Sequence, residues 1–515
     1  MIVKYPLLSF AALCALGAAA QQANVFASAL TVNKTEGNTV EVSFTLNADC
    51  PEVAMLIGGK EFDLGSGARG VNTKTVTIEG VEGTNLPWSI RAEAQPVTHP
   101  VKIDDKTTCP NMDFHHARCV TLDNNLESPF FGRVYVTESG HTATSRTSNG
   151  LYVYNSAFED ITGQGDTPYT GNAGFEAISA SPQRVFVAPD ALYLCDWSDS
   201  HSGVWKADPT NLHADFKPVF QGERGPDGLI SNAGTPIAGS IVSLWVDGEG
   251  ESTRLYTFDE DYNAGGLKLP ILRYDIGTLD NPWTTAPSAV VFDNANGLEV
   301  NGASTIIPDA TGWWISQYRW LENAAQPALI HYNTTTKTED FNSATADPGG
   351  VLIGFSHIGG LAINEDGTLL AAANNDLIKV FEIGETAQGA PLLTLKHAIA
   401  HGLSTNRIWS IAFDVVNNLY IANDQGAGLA SFALPNNGEN RFTTPAHKSQ
   451  RISIGDGGGK TGDVNGDDKV DVEDVNALIN ILLGKAPATA AANVDGQGGI
   501  DVQDVNTLIN TILGK

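Results

Sequence analysis

From Phe130 to Ile454 the chain repeats one pattern: a short apolar run, a turn, and a second run ending on a polar residue. The clearest copies are VFVAPDALYLCD ending at Asp196, AINEDGTLLAAAN at Asn374 and AFDVVNNLYIAN at Asn423. Looser copies are GRVYVTE at Glu138, STRLYTFD at Asp259 and IIPDATGWWISQ at Gln317. Successive end points lie 58, 63, 58, 57 and 49 residues apart. Each copy is followed by a further strand-like stretch such as GVWKAD or IKVFEI, and helical periodicity is almost absent. Four short strands per unit of this size are what a β-propeller requires, because radial packing lets each sheet cover its neighbour's apolar face. The expected fold is mainly β, with a six-bladed β-propeller over 130–454. A β-helix or a sandwich array is the competing arrangement.

Residues 24–95 follow a different rhythm. TVEVSFTLN, VAMLIGG, KTVTIEG and WSIRAEA are strands separated by turns, which predicts a small Ig-like β-sandwich over 21–97 acting as a spacer. A connecting segment, 98–129, leads to the propeller, and strands at Arg118 to Leu122 or Arg451 to Ile454 are available to close the ring. GDGGGKTG has the composition of a flexible linker, placed at 455–461.

The last segment, 462–515, changes period again. GDVNGDDKVDVEDVNALINILLGK is answered 30 residues later by ANVDGQGGIDVQDVNTLINTILGK, with 13 of 23 positions identical from Asp463 and Asn493 onward, so the segment is a duplication. Each copy reads as an oxygen-rich loop followed by a helix. Calcium takes six to eight oxygens, and an EF-hand-like loop supplies them from positions 1, 3, 5, 7, 9 and 12. In the first loop these are Asp463, Asn465, Asp467, the Lys469 carbonyl, Asp471 and Asp474. In the second they are Asn493, Asp495, Gln497, the Gly499 carbonyl, Asp501 and Asp504. Four carboxylates so close together call for a divalent ion. The second loop has three, which predicts weaker calcium binding there. Asp468 replaces the usual turn glycine of the first loop, whereas Gly498 keeps it in the second. Val475, Leu478, Ile479, Leu482 and Leu483, matched by Val505, Leu508, Ile509, Ile512 and Leu513, predict apolar stripes on which the two helices pack together. Gly484 and Gly514 stand where a left-handed helix stop is expected.

A loop and an exiting helix, repeated, resemble the type I dockerin module of cellulosomal and other secreted proteins. That resemblance implies calcium as cofactor and a cohesin-like protein as partner, contacted through loop positions 10 and 11: Val472 with Glu473, and Val502 with Gln503. Their near-symmetry implies that either helix can face the partner. The propeller repeats, through the pattern Asp-x-x-Gly/Asn-x-Leu-Tyr, resemble single blades of NHL and gluconolactonase-like propellers.

The first twenty residues carry Lys4, the apolar run Leu7 to Gly17 and Ala18-Ala19-Ala20, a secretory signal peptide over 1–20. Cys14 raises a lipoprotein alternative, opposed by bulky Leu13 before it. The expected location is secreted: periplasmic, cell-surface or extracellular. No later stretch is long and apolar enough for a transmembrane segment. A formal net charge of −29 disfavours nucleic acid and anionic membrane. Beyond the signal, Cys50, Cys109, Cys119 and Cys195 allow three pairings, of which Cys109 with Cys119 is favoured by closeness in sequence.

If the repeats align, Glu138, Asp196, Asp259, Gln317, Asn374 and Asn423 meet at one mouth of the channel. Glu138, Asp196 and Asp259 are then the candidate catalytic carboxylates, for acid–base chemistry on a sugar. His141, Asp199, His201, Asp261 and His357 are nearby bases or ligands, and Trp197, Trp245, Trp313, Trp314, Tyr318 and Trp320 are available to stack on sugars or to pack between blades. His115-His116 is a weak metal pair, because adjacent residues of a strand point opposite ways. Spacings for a GxSxG elbow, HExxH or a phosphate loop are absent. The expectation is a calcium-binding dockerin protein whose propeller binds carbohydrate or protein during polysaccharide degradation, without itself being an enzyme. The alternative is a propeller glycosidase or lyase delivered by the same module.

Overall fold

Runs rich in β-branched and aromatic residues, each closed by a turn, pair in chain order into antiparallel sheets. The computed structural model describes residues 22–35, 37–140, 148–175, 181–198, 201–294, 303–317, 327–346, 359–405, 407–454, 462–467, 469–495, 497 and 499–514. The segments read as a signal peptide, 1–20, and as a linker, 455–461, lie outside them. Among the described residues six sheets follow one another, each beginning at its inner strand: Ala117–Leu122, Arg184–Val187, Ile241–Asp247, Ile306–Pro308, Leu361–Ile363 and Ile408–Phe413. Consecutive inner strands lie against each other, and the sixth returns to the first. Each sheet is open, and the ring closes by packing between sheets. The fold is mainly β and propeller-like.

Burial explains why the repeats look continuous and not alternating. Val134–Glu138 and Leu192–Asp196 are buried at every position, because both faces of a blade are covered by its neighbours. Trp313 and Trp314 illustrate this. One indole packs between blades three and four with Tyr256 and Phe258, the other between blades four and five with Phe341 and Phe381. Neither points outward.

Closure differs from the expected boundaries. The sixth blade borrows its outer strand, Val101–Asp105, from the segment read as a connector, pairing Val101 with Ala433 and Asp105 with Ala430. Ala117–Leu122, from the same segment, is the inner strand of blade one. Conversely, Asn440–Pro445 pairs with Trp88–Ala94, and Ile452–Ile454 pairs with Gly83–Leu86. Arg451 to Ile454 therefore does not close the ring. It completes the N-terminal sandwich, whose two main sheets are Ala27–Lys34, Thr39–Leu46, Gly70–Thr77 and Asn440–Pro445, Trp88–Ala94, Cys50–Ile57, Lys60–Gly67.

The sandwich is thus interlocked with the propeller, not a free spacer. Asparagine amides stitch the seam. Asn418 accepts from Asn24 N at 3.0 Å and donates to Asn24 O at 2.9 Å. Within the sandwich, Asn440 of the returning strand accepts from Val25 N and donates to Ala23 O and Gln95 O. Arg69 of the sandwich pairs with buried Asp104 of blade six and donates to Ala157 O of blade one.

All four cysteines described are free and buried. Cys109 packs with Met112 and Phe114, whereas Cys119 faces blade two beside Val185 and Leu194. The favoured Cys109–Cys119 pairing is not formed, because the inner strand directs Cys119 to the other side of its sheet.

Candidate functional site

The second strand of each blade runs antiparallel to the inner one, so its last residue lies beside the segment entering the inner strand. Glu138, Asp196, Asp259, Asn374 and Asn423 end their second strands, and Gln317 follows its own directly. The register therefore brings all six to one face of the ring. All are buried, and their bonds are local. Glu138 accepts from the backbone of His115, His116 and Gly140 at 2.8–3.0 Å. Asp196 accepts from the Ser181 hydroxyl and Ser198 N. Asp259 accepts from Gly239, Asp261 and Tyr262 N, and Asn423 from Thr405 Oγ1 and Gln425 N. In these four blades the side chain ties the segment entering the inner strand to the one leaving the second strand. Gln317 instead donates to Pro327 O, and Asn374 accepts from the Asn375 amide.

Such placement is a brace for the mouth and does not present Glu138, Asp196 or Asp259 to a substrate. Burial raises the Asp259 carboxyl to about 6 despite its three amide donors. His115 and His116 lie in the bend before the inner strand, not on it, with ring centroids 4.4 Å apart. His201 stacks on Trp205, and Asp261 pairs with Arg224. His141, Asp199, Tyr318, Trp320 and His357 lie outside the described residues.

One residue beyond the braces, Glu260 and Trp197 are partly exposed at the mouth. Glu260 follows Asp259, is partly exposed, and accepts from Trp197 Nε1 at 2.6 Å. Burial pushes its carboxyl up to about 7. The Trp197 ring meets Trp409 edge-on at 6.3 Å, and the Arg118 guanidinium lies 3.9 Å over Trp409. Asp424, which follows Asn423, joins Arg118 Nη1 at 2.7 Å, His116 Nδ1 at 2.8 Å and Arg407 Nη1 at 3.4 Å. A linked belt of carboxylates, indoles and guanidiniums therefore joins blades one, two, three and six, buried at Asp424, Arg118 and Trp409 and reaching the mouth at Glu260 and Trp197.

Beneath it lies Arg184. The inner strands of blades one, three and six skip one residue of pairing at Arg118, Val242 and Trp409. Such bulges turn a carbonyl out of the ladder, and Arg184 donates to all three, at 3.3, 3.3 and 2.6 Å. It also reaches Ala303 O at 2.9 Å and Thr305 Oγ1 at 3.1 Å in the approach to blade four. No carboxylate among the described residues pairs with it. Sequence reasoning named Trp197 and His116 but missed Glu260, Asp424, Arg118, Trp409, Arg407 and the Arg184 staple. The signal available was that each lies at an inner-strand start or just after a recognised strand end.

The C-terminal repeat forms two helices, Val472–Leu482 and Val502–Ile512, each preceded by its loop and ended by a glycine at φ +69 or +66. Asp474 and Asp504 are wholly buried and fold the loops around themselves. Asp474 accepts from Asn465 N and Asp471 N, both at 2.9 Å, and Asp504 accepts from Asp495 N and Asp501 N at 3.1 and 2.8 Å. Burial works to raise the Asp504 carboxyl, and these amides hold it below the usual range. Asp463 accepts from Gly466 N and Asp467 N. Among the described residues no three His, Cys, Asp or Glu side chains are arranged as a metal-binding group. Asp468 and Gly498 lie outside the described residues.

The predicted apolar stripes divide. Leu478 and Leu508 are buried between the helices with Val475, Ile481, Val505 and Ile512 around them. Ile479 and Leu483 face outward with Val472, and Ile509 and Leu513 with Val502. Consecutive helical residues lie about 100° apart, so Leu478 and Ile479, or Leu508 and Ile509, fall on different sides although both belong to the predicted stripe.

No protein-family model matches this chain, and no curated protein matches it. Among solved structures it is similar to a protein of unknown function from Bacteroides thetaiotaomicron, at 10% identity over 78% of this chain and 98% of that one, TM-score 0.37. A protein from Lactobacillus plantarum matches at 12% identity over 77% and 99% of the chains, TM-score 0.33. A glucose dehydrogenase matches at 11% over 65% and 99%, TM-score 0.39. At these scores the likeness assigns the chain no activity. No helix among the described residues is long and apolar enough to cross a membrane.

Proposed function

We propose that this is an exported docking component whose C-terminal repeat acts as a calcium-dependent dockerin-type module for a cohesin-like partner, while the propeller mouth binds carbohydrate or protein in extracellular polysaccharide degradation. The observation that carries the reading is the duplicated outward stripe: Val472 and Val502 are 66% and 67% exposed, Leu483 and Leu513 62% and 60%. Valine and leucine held open to water at matching places in both copies suit a surface that a partner covers. Glu473 and Gln503 flank the two valines.

The donor set fits calcium. Asp463, Asn465, Asp467, the Lys469 carbonyl, Asp471 and Asp474 are hard oxygens, as are those of Asn493, Asp495, Gln497, Gly499, Asp501 and Asp504. When bound, the ion supplies the positive charge that lets these oxygens crowd together. Asp471 and Asp501 additionally cap their helices through Glu473 N and Gln503 N, so loop order is passed directly to the start of the outward stripe.

The test uses the full chain and a purified cohesin domain, by calorimetry with calcium and with chelator. Val472→Asp with Leu483→Asp, or Val502→Asp with Leu513→Asp, should each leave binding through the other copy, and the four together should abolish it. Undiminished binding by the fourfold variant, or indifference to chelator, refutes the reading. Calcium titration should give two sites, the second weaker.

Glu260 favours one second reading, glycoside hydrolysis or lyase chemistry at the mouth. A carboxyl near 7 beside Trp197 suits a proton donor to a stacked sugar. Glu138, Asp196 and Asp259, committed as braces, do not suit that role. Reducing-end release from polysaccharide that disappears in Glu260→Gln would establish this reading.

A further inference from the structure

On the face opposite the Glu260 mouth, the ends of the six inner strands enclose a cavity of about 580 Å³. Leu122, Phe186, Trp245, Ile307, Ile411 and Phe413 form its apolar side, and Thr121, Asp123, Asn124 and Asn125 give it a polar side next to blade one. About three residues back along each strand, roughly 10 Å at strand rise, the Arg184 guanidinium crosses the axis and bonds carbonyls of blades one, three, four and six. The cavity is therefore a blind funnel, not a passage. Its size and lining are those of small-ligand pockets, and neither the docking tail nor the mouth uses it.

A second cavity of about 550 Å³ continues outward from the funnel, sharing Trp245, Ile307, Ile363 and Glu365 with it. Its walls carry the exposed carboxylates Glu365, Asp366 and Glu385 and the half-buried Asp309, which pairs with His331 behind the wall, and no Lys, Arg or His lines either cavity. Trp245 stands at the junction, half-buried, its ring tilted against Phe186 at 4.7 Å. A field of one sign at the end of an apolar pocket repels anions. It attracts an ammonium, which an indole face stabilises further.

We propose that the funnel and its acidic arm bind a small organic cation, with an apolar ring or chain seated against Phe186, Trp245 and Phe413 and its amine in the arm beside Glu365. Three indoles sharing one ring test this on the full chain by calorimetry: tryptamine, indole-3-ethanol and indole-3-acetate. Tryptamine should bind at one site per chain. The alcohol should bind about fivefold more weakly, the ratio that one exposed charge pair supports, and the acetate weaker still. Glu365→Gln, at an exposed position, should bring tryptamine down to the alcohol without altering the fold. Trp245→Leu should weaken the alcohol by about tenfold, the loss of one stacked aromatic contact, and tryptamine by at least as much, because the ammonium also loses the indole face. Binding of the acetate as tight as the amine, no binding of any of the three at millimolar concentration, or tryptamine affinity unmoved by both substitutions overturns the proposal.

Discussion

Arg184 offers the sharpest test of how the ring is held. Its guanidinium donates to carbonyls or a hydroxyl from blades one, three, four and six, and three contacts are short: 2.6 Å to Trp409 O, 2.9 Å to Ala303 O and 3.1 Å to Thr305 Oγ1. Burial pushes its pKa down, but arginine stays charged in proteins. Charge-assisted bonds each contribute about 1.5–3 kcal/mol, so the three short ones supply about 4–9 kcal/mol. Burying a cation without a carboxylate costs several kcal/mol in return. In Arg184→Met that cost vanishes, and of the carbonyls that lose a donor the two held by short bonds, Trp409 O and Ala303 O, carry most of the penalty, about 1–3 kcal/mol each. The net loss should be about 3 kcal/mol. Arg184→Lys keeps a buried charge, but a single ammonium cannot fork toward four blades, so lysine should be worse than methionine. Urea unfolding followed by near-UV dichroism reads this. At an m-value of about 3 kcal/mol/M, methionine should lower the midpoint by about 1 M and lysine by more. A lysine variant more stable than the methionine variant, or both within about 0.2 M of the parent, refutes the staple.

Blade four should respond to pH through His331, which is fully buried between Asp340 at 2.5 Å and Asp309 at 3.3 Å. Burial works to lower its pKa and the two carboxylates raise it above the usual value. Its contribution is therefore complete below about pH 6.5 and lost as pH rises through the folded value. Asp309 is desolvated, yet His331 and the Thr311 amide hold it below the usual range, so its contribution fails as pH falls below about 3.8. His331→Gln should flatten the alkaline limb of the urea midpoint against pH, and an unchanged limb rejects the assignment. Asn440→Ala removes partners of Ala23 O, Val25 N and Gln95 O, and should cost about 2–4 kcal/mol, measured by the same unfolding. Truncation after Leu434 removes Asn440–Pro445 and Ile452–Ile454 and should leave the N-terminal segment protease-sensitive. Truncation after Ile454 should leave it resistant.

Much of the architecture is legible in the sequence. The polar residue closing each repeat marks the end of each second strand, because a strand buried on both faces reads as an unbroken apolar run that must stop where the chain turns. The duplicated tail was legible too, since its helix stops at Gly484 and Gly514 follow from local backbone preference. The strand exchange was not. Val101–Asp105 and Asn440–Pro445 look like ordinary strands, and hydrogen-bond partners far apart in the chain leave no local trace. The carboxylates at 138, 196 and 259 looked catalytic because acidity is visible in a sequence, whereas the backbone amides that occupy them are not. Glu260 and Arg184 lacked any motif. Local periodicity determined the strands, the repeats and the loop chemistry of this protein. Only tertiary packing decided the rest: the closed ring set which charges became braces and which a staple, and the packed helix pair set which face of the tail stayed open to water, because burial depends on what packs opposite.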